Sequence, residues 1–329
     1  MMKAIICHGF GSAGSLTLGE TKAPVPNRGE VLVDVHSAAV TFMDVLMVEG
    51  NYQMRPPLPF VPGTEASGVV AAVGEGVTRV KVGDRVTCSS WFGAWGQQMA
   101  TNEFSAIRLP VEVDFAVGAA VRHGYGTAHY ALVERAQLRA GETVFVSGAA
   151  GGVGLAAVDL ARHLGARVIA GVGSSDKEAC VRGRGAVEVV NYGKESLKDR
   201  IKAITGGAGV DVFFDTVGGD VFATMSRLVN GGGRILPVGF TSGEIPSLPL
   251  NLPLLKGYSV VGANWGPWTQ RHPHESAAAD EAIVKLVAAG QLRPLVAQRL
   301  PLENFAEAID SLRQRQVQGR IVLEMPRAA

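Results

Sequence analysis

The sequence predicts an α/β protein in which a β-rich domain is joined to a doubly wound parallel-sheet domain. Three observations predict it. Short β-branched runs bounded by Gly and Pro fill the chain to about Val121. From about Gly141, continuous apolar strands alternate with helical stretches, as in a sheet covered on both faces. A glycine-rich turn then joins the first of these strands to its helix. The 329 residues suit roughly two domains at ~150 residues each. With 47% hydrophobic residues, the chain can bury a large core.

Residues 1–8 read as a first strand, an apolar run too short for a signal sequence. Strands follow over 30–35 and 68–73, and Pro24, Pro26, Pro56, Pro57, Pro59 and Pro62 mark loops. Beyond 141 the expected order is a strand over 143–146, a helix over 153–164 and a strand over 167–171. Further strands are expected over 187–190, 210–215, 234–238 and 259–262. Helices over 276–289 and 302–315 and a closing strand over 321–324 complete the reading, with no internal repeat.

Charge and cysteine content exclude several functions. The 31 basic residues are balanced by 30 acidic ones, so no general electrostatic grip on nucleic acid or on an anionic membrane is expected. No apolar stretch approaches the ~20 residues of a membrane span. The three cysteines, Cys7, Cys88 and Cys180, form no CxxC pair and no disulfide framework. A reducing, cytoplasmic setting is the expectation.

Residues 144–154 read VFVSGAAGGVG, a strand running into a helix through a dinucleotide-binding turn. In the GxGxxG alignment Ala149 takes the first position, Gly151 the second and Gly154 the third. The amides of Gly152 and Val153 would lie at a helix N-terminus, where partial positive charge favours phosphate. An acidic residue at the end of the next strand would bind a ribose 2′-hydroxyl, and residues 171–175 contain none. Ser174, Lys177 and Tyr192 could hold a 2′-phosphate. Asp176 dissents, and it reads as the helix cap before Lys177. NADPH is therefore the expected cofactor over NADH.

The segments LPFVPGTEASGVVAAVGEGV, AAGGVGLAAVDLARHLGA, DTVGGDVF and GGGRILPVGFTSGEIPSLPLNL resemble the zinc-independent quinone oxidoreductases of the medium-chain dehydrogenase/reductase superfamily, in the same order over nearly the whole chain. The resemblance implies a GroES-like catalytic domain over 1–122, completed by 295–329, and an NADP-binding Rossmann domain over 123–294. It implies transfer of hydride from NADPH to a quinone or α,β-unsaturated carbonyl, and a homodimer or homotetramer. An apolar final strand at the Rossmann sheet edge suits such self-association.

Zinc-dependent relatives carry Cys and His where this chain has Thr41 and Thr64, and threonine is a poor zinc ligand, so no metal is expected. The resemblance places Thr41 and Tyr52 toward the nicotinamide, as candidate donors to the charge that develops on the acceptor. Tyr52 has two readings, proton or hydrogen-bond donor and plain pocket wall. Asp44 reads as structural. The resemblance also places Thr127, Tyr130, Thr216, Asn264, Trp265 and Arg320 near the cofactor, and runs the stretch carrying Val238, Phe240, Thr241 and Ser242 beneath its ring and ribose. Relatives have apolar residues where Arg122 and His123 stand, which would alter a pocket mouth. Two other functions compete: an enoyl-thioester (acyl-CoA) reductase and a non-enzymatic NADPH-binding protein.

Overall fold

A computed structural model describes residues 1–326; the end of the expected 295–329 segment lies outside the described residues. In chain order the elements open with β1 (Met2–Cys7), β2 (Leu16–Thr21), β3 (Glu30–Val40), α1 (Phe42–Val48), β4 (Glu65–Val73) and β5 (Arg85–Ser89). Next come β6 (Gln98–Asn102), β7 (Ala106–Arg108), α2 (Phe115–Ala119) and α3 (Arg122–His129), which runs on as a π-helical turn, Tyr130–Arg135. The alternating part holds β8 (Thr143–Val146), α4 (Gly152–His163), β9 (Arg167–Val172), α5 (Glu178–Gly183), β10 (Glu188–Asn191) and α6 (Leu197–Thr205). It continues with β11 (Val210–Asp215), α7 (Gly219–Met225), β12 (Val229–Pro237), α8 (Asn251–Lys256) and β13 (Ser259–Val260). The chain closes with α9 (Trp265–Arg271), α10 (Pro273–Ala288), β14 (Val296–Pro301), α11 (Phe305–Arg313) and β15 (Arg320–Glu324).

Two compact units result. The first comprises Met1–His123, Arg271–Gly290 and Pro294–Ala329; the second comprises Gly124–Gln270 and Gln291–Arg293. The helix α10 thus groups with the first unit, whereas the sequence reading left it inside 123–294. Its side chains explain why. Asp280 pairs with Arg122, Glu281 pairs with Arg79, and His274 packs edge-on to Phe104 with ring centroids 4.5 Å apart. None of these long-range partners is visible in the helix's own periodicity.

In the first unit, β3 organises a seven-stranded sheet of order β14-β15-β3-β4-β5-β7. Its first half pairs with β6 and its second half with β15, while β4 runs along its other side. Alternation along β3 sends Val31, Val33 and Val35 into a core shared with Trp95, Met99, Ile321 and Leu323. The second unit is a six-stranded parallel sheet of order β10-β9-β8-β11-β12-β13, a Rossmann order that reverses between β8 and β11. Strands β8, β9 and β11 are buried almost end to end, as helices on both faces require.

Candidate active site

The glycine-rich turn lies where strand order reverses. Gly151 caps α4 with an extended backbone, and Leu155 N–H closes the first helical bond to its carbonyl at 2.7 Å. The amides of Gly152 and Val153 precede that bond and point out of the helix end. Gly154 is required by space: a Cβ there would collide with the carbonyl oxygen of Gly148. The turn is tied to its neighbour strand by the Ala149 amide, which donates to Gly171 O at 3.0 Å.

At the end of β9, Ser174 precedes a short 3₁₀ turn, Ser175–Lys177, and its side chain makes no capping bond. Asp176 lies inside that turn and not at an N-cap position, which Ser174 holds for the turn and Lys177 for α5, contrary to the sequence expectation. The Tyr192 ring follows β10 and packs over Gly171 and Gly173, where added Cβ atoms would meet it at 3.2 and 3.5 Å. Ser174, Lys177 and Tyr192 therefore border one strand end that carries no acidic residue over 171–175. Hydroxyl and ammonium groups at this strand end, and the amides at the start of α4, are donors of the kind phosphate groups need.

Other expected residues gather on the same unit. Val238 and Gly239 donate backbone N–H bonds to Asp215 O, and Thr241 and Ser242 N–H groups meet Thr216 O and Val217 O. Phe240 on this strap is part-exposed. The Thr216 hydroxyl is committed, donating to Ser147 O at 2.8 Å. Thr127 and Tyr130 are buried, and the Tyr130 ring stacks on Trp268 at 4.7 Å. Trp265 lies over Gly126, the exposed Asn264 precedes it, and Arg135 Nε secures the preceding Gly262 O at 2.9 Å.

The first unit holds the catalytic candidates. Thr41 caps α1 in a capping box with Asp44. Its N–H and its hydroxyl both donate to Asp44 Oδ2 at 2.7 Å. This corrects the expectation of a donor toward substrate, because the Thr41 proton is already used. The Tyr52 hydroxyl makes no hydrogen bond among the described residues, and partial burial raises its pKa. It keeps a donor to offer.

Behind Thr41 lies a cluster the sequence did not announce. Arg320 begins β15 and is buried beside Glu65 and Asp44, whose charges act on it. The structure thus gives Arg320 two carboxylate neighbours within its own unit, a role not foreseen in its expected place near the cofactor. Glu65 Oε1 accepts the His123 N–H at 3.0 Å at the start of α3, while Oε2 has no partner. Asp44 Oδ1, Thr64 Oγ1, Arg320 Nε and Arg320 Nη2 are likewise buried without partners among the described residues. Burial pushes Glu65 up to about 7 and Asp44 to about 6, against the pull of Arg320. Arg122 is fully buried, bonded to Asp280 Oδ2 at 2.8 Å and to Ser89, so it shapes no pocket mouth. Burial drives His123 down to about 3, which leaves it neutral. No sequence signal pairs Arg122 with a residue 158 positions away. The Asp215 end of β11 was more findable, as a carboxylate at the carboxyl edge of a parallel strand.

Comparison with known proteins agrees with this architecture. Residues 27–143 match the family described as the alcohol dehydrogenase GroES-like domain, and residues 152–282 match that described as zinc-binding dehydrogenase. The chain is 39% identical over 312 residues to quinone oxidoreductase-like protein 2 of Rattus norvegicus, covering 94% of this chain and 89% of that protein. It is 32% identical over 314 residues to the quinone oxidoreductase of Homo sapiens, covering 95% and 94%. The structure of Escherichia coli quinone oxidoreductase complexed with NADPH superposes with a TM-score of 0.89 at 32% identity, covering 98% of this chain and 99% of that one. With the Rossmann strand order, the glycine turn and these likenesses in hand, the chain belongs to the quinone oxidoreductase family of the medium-chain dehydrogenase/reductase superfamily.

Proposed function

We propose that this oxidoreductase transfers hydride from NADPH to a quinone or α,β-unsaturated carbonyl without a metal. One observation carries the cofactor reading: the phosphate turn at α4 adjoins a strand end that carries no acidic residue over 171–175 and is bordered by Ser174, Lys177 and Tyr192. NADPH, once bound, supplies the hydride. The chain's part is to hold the pyrophosphate on the α4 amides, to discriminate the 2′-phosphate with Ser174, Lys177 and Tyr192, and to offer the acceptor oxygen a hydrogen bond from Tyr52. Thr41 and Thr64 supply hydroxyls where a zinc site needs thiolate or imidazole. Among the described residues no group of three His, Cys, Asp or Glu could hold a metal. The complex of the E. coli relative with NADPH supports the cofactor reading.

Self-association as a homodimer or homotetramer is part of the proposal. The edge strand β13 leaves Val260 exposed, and Leu254 and Leu255 on α8 are exposed nearby in sequence. A cytoplasmic location is also part of it; among the described residues no helix is long and apolar enough to cross a membrane.

The test is NADPH oxidation against a panel of quinones, enones and enoyl-CoA thioesters, with and without a chelator. Quinone or enone turnover that survives chelation is expected. Turnover of enoyl-CoA alone, or of nothing, would overturn the reading. Lys177→Ala should weaken NADPH binding by roughly 10- to 150-fold, the worth of one hydrogen bond to a charged group, and leave NADH nearly unchanged.

A further inference from the structure

We propose that Asp215 and Ser147 form a buried latch that sets the shape of the phosphate turn before the cofactor arrives. The inference rests on the cofactor reading above and adds two residues that do not face the ligand.

Strands β8 and β11 are neighbours in the sheet, in register at Val146 and Phe214. The phosphate turn leaves the first strand and a second loop leaves the other. Their side chains lock these loops together. Ser147 Oγ donates to Asp215 Oδ1 at 2.5 Å and accepts the Thr216 N–H at 2.9 Å. Thr216 Oγ1 returns a bond to Ser147 O at 2.8 Å. Ser147 and Asp215 are completely buried.

The same carboxylate shapes the second loop. Asp215 Oδ1 accepts the Val217 N–H at 3.0 Å, and Oδ2 accepts the Gly218 N–H at 3.1 Å. Successive amides aimed at one anion form a nest, and here the chain's own carboxylate fills it. Gly218 is held at φ 74, ψ −153, a region open in practice to glycine alone, and a conformation of that kind persists only where its surroundings over-determine it. Thr241 Oγ1 donates to Thr216 O at 3.0 Å, which adds the 238–242 strap to the assembly.

The phosphate turn is bound into this assembly at its first residue. Gly148, the next, is at φ 57, and a Cβ there would stand 2.5 Å from Thr216 Oγ1. The turn therefore cannot relax toward β11. A turn fixed in advance gives up less freedom on binding, and that saving appears as affinity. The turn serves the pyrophosphate, which NADPH and NADH share, so the latch acts equally on both. Ser174, Lys177 and Tyr192 act on NADPH alone.

The experiment is titration calorimetry of the full chain with NADPH and with NADH, on the parent, Ser147→Ala and Lys177→Ala. Amide hydrogen exchange across residues 147–152 of the nucleotide-free protein is measured in parallel. Ser147→Ala should raise both dissociation constants by the same factor, on the order of 10-fold, and speed exchange in the turn. A purely structural role would lower the melting temperature and leave both constants within twofold of the parent, and that result overturns the latch. A Ser147→Ala effect confined to NADPH overturns it too. Asp215→Asn, which keeps an acceptor but loses the charge, should follow Ser147→Ala in direction; an Asn variant that folds and binds like the parent would also overturn it. If the parent binds neither nucleotide while remaining folded, the cofactor reading fails and takes the latch with it.

Discussion

Asp215 in the second unit and Glu65 in the first are both carboxylates with no exposed surface, and the protein treats them differently. Asp215 accepts from Ser147 Oγ and from two backbone amides, so donors meet both of its oxygens. Burial still raises its pKa, but those three donors pull against the rise. Glu65 satisfies one oxygen at the start of α3 and leaves the other bare, and it is pushed up to about 7. Burial raises both, and the donors and charges brought to each carboxylate oppose the rise. The satisfied carboxylate stands beside the glycine-rich turn, whose shape we propose it holds. The half-satisfied one stands beside the Arg320 guanidinium, where protonation can change near neutral pH.

The sharpest way to break this comparison is to strip a buried charge of its partner outright. Asp280→Ala should cost about 3–5 kcal/mol, because Arg122 would then keep its charge in the interior without that carboxylate. Urea denaturation of the parent and the variant measures it. A loss below ~1 kcal/mol would mean that water reaches Arg122.

A smaller effect follows from the pH behaviour of Glu65. Its folded pKa lies above the usual carboxylate value, so the folded state holds the proton more tightly than the unfolded chain does. The stability this gives is present in full below about pH 4.5 and is lost as pH rises through about 7. Glu65→Gln keeps an acceptor for the His123 N–H and abolishes the titration. The parent's melting temperature should fall between pH 5 and 8 more steeply than the variant's. The difference at pH 8 should be on the order of 3 kcal/mol at most. Parallel melting curves across that range would show that Arg320 keeps Glu65 ionised throughout.

The smallest effects separate Tyr52 from Thr41. Tyr52→Phe should lower kcat by roughly 10-fold, since its hydroxyl has no partner among the described residues and is proposed to serve the acceptor. Thr41→Ala should instead cost about 1 kcal/mol of stability through the lost cap. Loss of turnover in Thr41→Ala, with stability and the Tyr52→Phe variant unaffected, would reverse the two assignments.

The order of elements in the nucleotide-binding unit was legible in the sequence. A strand buried on both faces reads as an unbroken apolar run, and a glycine turn between strand and helix has few other uses. The segment VFVSGAAGGVG carried that information within eleven residues. The placing of Ser174, Lys177 and Tyr192 at neighbouring strand ends was also legible, because a parallel sheet brings successive strand ends to one edge. Local signals could not say where a side chain's proton goes. Thr41 suited a catalytic donor until Asp44 proved to hold its hydroxyl, and Arg122 suited a pocket mouth until Asp280 proved to enclose it. The grouping of α10 with the first unit was likewise a tertiary outcome. Periodicity fixes which face of an element is apolar, whereas the pairing of buried polar groups depends on residues far apart in the chain. The sequence alone thus determined the sheet, the glycine-rich turn and the strand end beside it. Only the tertiary structure decided which of the polar residues have a hydrogen bond left to give.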